Sequence, residues 1–152
     1  MNSVNQAFQN LSFADIEVGQ KLPGLDIDVT TELVVAGAMA SRDYQDVHHN
    51  KANAQKLGSK DIFMNILTTN GLVGRYITDW TGPLAVLRKV NIKLGAPNFP
   101  GEVMKLSGKV TDKSEQDGQS LVEISVAGKN SMGNHVTGTV VVALPQDSMP
   151  KE

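Results

Sequence analysis

The chain has 152 residues, a formal net charge of −2 and no cysteine. That length fits one domain around one core, and the missing cysteines exclude disulfides and thiolate metal sites. Lys and Arg scattered among Asp and Glu leave no basic stripe for nucleic acid, although a few local cations would still suffice for an anionic ligand. The opening MNSVNQAFQN has neither the basic nor the apolar region of a signal peptide. No apolar run approaches the roughly 18 residues of a membrane span. The expectation is a soluble, cytoplasmic protein forming one domain over residues 1–152, with loose polar ends at about 1–10 and 146–152.

Leu22–Thr30 alternates Leu25, Ile27 and Val29 with Asp26 and Asp28, the pattern of a half-buried strand. Thr31 offers a hydroxyl N-cap to a helix over ELVVAGAMAS. Asn50 is placed to cap a short helix, KANAQKLG, closed by Gly58. In Ile66–Trp80 the spacing of Ile66, Leu72, Val73, Tyr76, Ile77 and Trp80 is helical. Gly71 and Gly74 each cost about 1 kcal/mol of helix propensity there, which predicts close approach of a sheet or ligand. The remainder reads as strands: Val86–Leu94, a turn at Asn98–Gly101, a run through Met104, Leu106, Gly108 and Val110, a polar loop DKSEQDGQ, then Val122–Val126, a KNSMGN turn and Val136–Leu144. One strand, then helices, then four strands joined by hairpin turns indicates α+β, with a curled antiparallel sheet around the Ile66–Trp80 helix.

Chemistry concentrates in Ser41-Arg42-Asp43-Tyr44-Gln45-Asp46-Val47-His48-His49, immediately after a predicted helix, where reactive side chains tend to be displayed. Three readings compete. A metal site would use His48 and His49 with Asp43 or Asp46, but adjacent histidines on an extended chain diverge and no zinc-protease spacing is present. An acid–base pair would use Asp43 and His48, five positions apart across a turn, converging on one water. The third is a polar loop that satisfies its own backbone, and composition alone favours it.

The residues carry a family resemblance that shifts this balance. Asp43-x4-His48 after a helix, with IFMNILTTNGLVGRYITDW following, resembles the MaoC-like (R)-specific enoyl-CoA hydratases over about Thr31–Leu144. The family motif is approximately G-D-x-N-P-x-H, and its I-x-H-G-M-L-x-x-G segment opens a central helix. Arg42, Gln45, Asp46 and Met64-Asn65 depart from it. RDYQDVHH followed by GSKDIFMNILT is similar to a narrower group, the small subunits of heteromeric MaoC-like hydratases acting on steroid side-chain CoA thioesters. The resemblance implies a hot-dog fold and a bulky enoyl-CoA substrate. It implies Asp43 and His48 as catalytic residues, with the backbone N–H at Asn65 as oxyanion donor. It also implies no metal, no cofactor beyond the CoA of the substrate, and a second MaoC-like subunit in a heterodimer or heterotetramer. The alternatives are a non-catalytic acyl-CoA-binding subunit, a hydratase for ordinary fatty enoyl-CoA, and a thioesterase. The last is disfavoured because Ile66–Thr78 holds no Asp or Glu.

Other residues receive plainer expectations. His49 neighbours the site without chemistry, Asp46 caps or pairs, and Tyr76 and Trp80 pack in the core. Arg88 and Lys89 lie on a solvated strand face or meet CoA phosphates, the former preferred. His135 reads as a surface or interface residue.

Overall fold

The computed structural model describes residues 10–147, so the polar ends expected to be loose fall mostly outside it. Gln146 is an exception and is held in place: it accepts a hydrogen bond from Ser120 Oγ and donates one to Glu115 Oε1 at 3.0 Å.

After a 3-10 turn over Phe13–Asp15 comes β1 (Leu25–Asp28), whose side chains alternate between half-buried and exposed as the sequence predicts. Helix α1 (Thr31–Ala40) follows. Its N-cap is Thr30 and not Thr31, because Thr30 stays extended while its hydroxyl accepts the Leu33 N–H at 3.1 Å. Asn50 caps α2 (Lys51–Lys56) in the same way, and Gly58, at φ +90°, turns the chain away. The long helix α3 (Ile66–Thr81) is capped by Asn65, whose side chain accepts the Thr68 N–H.

Four long strands follow: β2 (Val86–Leu94), β3 (Val103–Gln116), β4 (Gln119–Asn130) and β5 (Gly133–Leu144). They join β1 in one antiparallel sheet of order β1-β3-β4-β5-β2. Two sequence expectations change here. The Asn98–Gly101 turn makes no hairpin, since β2 pairs with β5 and the chain crosses to the far side of the sheet before β3 begins. The polar stretch DKSEQDGQ is no loop: β3 and β4 continue through it to a tight turn at Asp117-Gly118. Both turn residues have positive φ, 50° and 73°, the conformation that matches strand twist in a two-residue hairpin.

One face of the sheet carries the core. Val73, Tyr76 and Ile77 of α3 pack against Met104, Leu106, Val110, Val122, Ile124, Val140 and Val142, all buried. Full burial of each such side chain contributes about 1.5–3 kcal/mol, so the α3–sheet contact contributes substantially to stability. Tyr76 donates its hydroxyl to Pro23 O at 2.8 Å, fixing the helix to the chain before β1. The glycines of α3 do not mark close contacts: a Cβ on Gly71 would meet nothing within 4 Å, and one on Gly74 would sit 3.5 Å from Leu87. The close contact lies on α1, where a Cβ on Gly37 would fall 2.2 Å from Thr68 Oγ1. Among the described residues no helix is long and apolar enough to cross a membrane.

Candidate active site

Helix α1 ends in a way that delivers Asp43. The Arg42 N–H bonds Met39 O at 3.1 Å and the Asp43 N–H bonds Ala38 O at 2.9 Å, the paired closure of a Schellman cap. That cap needs a left-handed residue at its turn, and Arg42 supplies it at φ +56°. Glycine adopts this conformation without steric cost, which explains why the family motif has Gly there. Arg42→Gly is expected to raise stability by roughly 0.5–1 kcal/mol with unchanged turnover, as measured by urea unfolding beside a rate assay.

From this cap Asp43 meets His48, which sits at the end of a 3-10 turn over Asp46–His48. Asp43 Oδ2 lies 3.3 Å from His48 Nε2. His48 is buried, and its Nδ1 faces Phe63 O at 2.7 Å. A carbonyl only accepts, so Nδ1 carries the proton and Nε2 is the atom left for proton exchange. The Phe63 ring stands edge-on to the imidazole at 5.0 Å. The Phe63 segment is itself pinned, since Phe63 N–H bonds Val47 O and Met64 N–H bonds Asn98 O.

Asn65 completes the group. Its Nδ2 donates to Asp43 Oδ2 at 3.1 Å and to Ser41 Oγ at 2.9 Å. The Asn65 amide beside Asp43 holds its carboxyl below the usual carboxylate range; burial opposes this, while the Gln45 N–H and the His48 charge assist. Asn65 has φ −77° and ψ 160°, a region open to any residue, so Asn in place of the family's Gly costs no backbone strain.

These side chains open onto a cleft of about 300 Å3 lined by Asp43, His48, Asn65, Phe63, Ala96 and His135, among others. His135 lies here and not on the surface. The β4–β5 register jumps from Gly128↔Val136 to Lys129↔Asn134, which leaves His135 as the extra residue of a bulge. Simple alternation would turn His135 away from Val136; the bulge re-aims it, so that both are buried. His135 Nδ1 donates to Ala96 O at 2.7 Å and Nε2 accepts the Thr69 hydroxyl at 2.8 Å. It thereby ties the first turn of α3 to the opposite cleft wall.

Burial pushes the His135 pKa below its ordinary 6.5, with the Ala96 bond opposing. The unfolded chain therefore takes up this proton first as pH falls. The stability contributed by neutral His135 is complete above about pH 6.5 and is lost as pH falls towards the folded value. We expect the loss in melting temperature between about pH 7 and about pH 5 to be smaller in His135→Asn than in the parent. An equal loss in both would show that His135 does not govern this window.

The remaining candidates fall outside the pair. His49 is exposed and faces Tyr44 O, so the two adjacent histidines diverge. Asp46 accepts from Asn53 Nδ2 at 2.7 Å, a structural tie. Arg88 and Lys89 are exposed on β2 and do not line the cleft. Among the described residues no set of three His, Asp or Glu is placed to hold a metal.

A helix packed in a curled five-stranded sheet, with an Asp–His pair at its entrance, is the hot-dog architecture of MaoC-like proteins. The R-hydratase PhaJ1 from Pseudomonas aeruginosa shares this fold at a TM-score of 0.81 and 20% identity, over 94% of this chain and 96% of its own. No family model matches the sequence. The 3-oxo-4,17-pregnadiene-20-carboxyl-CoA hydratase beta subunit of Mycobacterium tuberculosis is 44% identical over 127 residues, covering 84% of this chain and 95% of that protein. A chain from the crystal structure of the ChsH1–ChsH2 complex of the same organism matches with a TM-score of 0.78 at 44% identity, over 84% of this chain and 98% of that one. The chain belongs to the family of this hydratase beta subunit.

Proposed function

We propose that this chain is the catalytic subunit of a two-subunit hydratase that adds water across the α,β double bond of a steroid side-chain enoyl-CoA thioester. The observation that carries the proposal is the Asp43–His48 contact of 3.3 Å at a cleft. The name of the Mycobacterium tuberculosis relative supplies the substrate class, and the complex containing its structural counterpart supplies the second subunit. CoA arrives as part of the substrate, so the reaction requires no further cofactor, and we place it in the cytoplasm.

Water is held on the cleft side of the Asp43–His48 pair. Asp43, held as a carboxylate, takes the water proton while the water oxygen bonds to the β-carbon. The double-bond electrons move towards the thioester, giving an enolate. The α-carbon then takes the proton from His48 Nε2, and transfer from Asp43 to His48 resets the pair. Helix geometry leaves the first N–H groups of α3 without intrahelical acceptors. With the helix dipole they stabilise the enolate oxygen, and the Asn65 N–H belongs to this set.

A cleft of about 300 Å3 lies at the lower end for drug-sized ligands and is too small for a fused-ring acyl group with its pantetheine arm. Ile66, which lines it, and Leu67 beside it are 49% and 50% exposed. A second hot-dog subunit covers them and supplies the missing wall. The test is co-expression with such a subunit and an assay of enoyl-thioester absorbance on a steroid enoyl-CoA and on crotonyl-CoA. Turnover of the steroid thioester alone is expected. Turnover of crotonyl-CoA alone would assign an ordinary fatty-acyl hydratase. Tight binding without turnover would assign a non-catalytic acyl-CoA-binding subunit.

A further inference from the structure

We propose that the Asn65 side chain is a positioning residue that keeps Asp43 a proton acceptor; the inference rests on the hydratase reading and adds a residue to its machinery. Asn65 is only 2% exposed, and its amide is committed at both ends. Oδ1 accepts the Thr68 N–H at 2.9 Å. That bond fixes which end of the amide is oxygen, because the flipped amide would set a donor against a donor. Nδ2 must therefore face Ser41 and Asp43. Ser41 Oγ gives its own proton to Gly37 O at 2.7 Å, so towards Asn65 it can only accept.

The polarity of the chain is now set. One Asn65 hydrogen goes to Ser41 Oγ and the other to Asp43 Oδ2, a bond that favours the charged carboxylate over the acid. His48 Nε2 approaches the same oxygen at 3.3 Å. The Asn65 bond thus biases Asp43 towards the charged form, ready to take a proton from water. Asp43 Oδ1 accepts the Gln45 N–H in a long bond of 3.5 Å, and is the freer oxygen for that water.

Few other charges act on Asp43. The first turn of α3 holds no acidic residue, and the facing wall, Leu94–Pro97, holds no ionisable group. His135 lies beyond it, with burial pushing its pKa below the ordinary range. Arg42 is the adjacent residue and is exposed, and Asp46 is engaged with Asn53.

Asn65 also caps α3, so the test must separate the two roles. Asn65→Asp does so: Asp caps a helix about as well as Asn, yet it replaces the donor beside Asp43 with a second carboxylate. In the co-purified complex we expect a folded protein whose melting temperature is lowered at neutral pH, because two carboxylates now face each other, with KM little changed. The acidic limb of the kcat profile moves up by about one pH unit or more, and on that limb kcat falls about tenfold. Asn50→Ala, which removes the equivalent cap from α2, is the control: it should lower the melting temperature and leave the profile in place. An Asn65→Asp profile that matches the parent would overturn the proposal and leave Asn65 a helix cap. The Asp43 carboxyl is also followed by 13C NMR, with its resonance assigned from Asp43→Asn. That titration reads the same shift without turnover, so a complex that fails to hydrate would defeat the hydratase reading while the titration still decides the role of Asn65.

Discussion

Asp43→Asn is expected to lower hydration by about 10²- to 10⁴-fold, the usual worth of a positioned acid or base, while the fold survives. The substitution keeps shape, and the new amide oxygen can still accept from Asn65 Nδ2, which lies 3.1 Å from Oδ2 in the parent. What disappears is a group able to take a proton from water. His48→Asn is the matching change on the other side. Its amide nitrogen can reproduce the Nδ1 bond to Phe63 O, 2.7 Å long in the parent, while Nε2 is lost with the rest of the ring. We expect a loss of the same order, and the double variant to be little worse than either single one, because the two act as a unit. His48→Ala is a poorer probe. It strands the Phe63 carbonyl, which costs about 1–3 kcal/mol if left unpaired, and so mixes folding with chemistry. Rates within threefold of the parent in well-folded Asp43→Asn and His48→Asn would remove the pair from the mechanism.

The Asp–His pair was legible because its spacing is local: five positions across one turn, in a sequence that resembles a known motif. The helices and the half-buried strands were legible for the same reason, since their periodicities are written in consecutive residues. What escaped depends on contacts between distant segments. The Asn65 side chain reaches Asp43 across 22 positions, and only its backbone was suggested by the resemblance. His135 was assigned to the surface because period-2 alternation assumes an unbroken strand, and one bulged residue inverts the assignment. The end of the β3–β4 hairpin looked like a loop because its side chains are polar on both faces. Asp-Gly at its tip is the local signal of a two-residue hairpin turn.

Gly37→Ala is the other large effect we expect, a destabilisation of about 1–3 kcal/mol from overpacking, even though Ala is the better helix former by about 1 kcal/mol. The new Cβ would lie 2.2 Å from Thr68 Oγ1 and 2.9 Å from Thr68 Cγ2. Both belong to a half-buried residue whose Oγ1 is buried at the α1–α3 contact, so neither helix yields without moving the other. Movement there reaches the site directly. Gly37 O anchors Ser41, Ser41 receives Asn65, and the cap that ends α1 places Asp43. Turnover should therefore fall along with stability. Thr68→Ala tests the cause. Thr68 Oγ1 is the one buried side-chain polar atom without a hydrogen-bond partner among the described residues, so removing it breaks no bond and opens the space the new methyl needs. In a double-mutant cycle read by urea unfolding, Gly37→Ala should cost much less in the Thr68→Ala background than in the parent. Strict additivity would mean that the two helices do not meet at this pair, and that glycine is required at position 37 for some other reason.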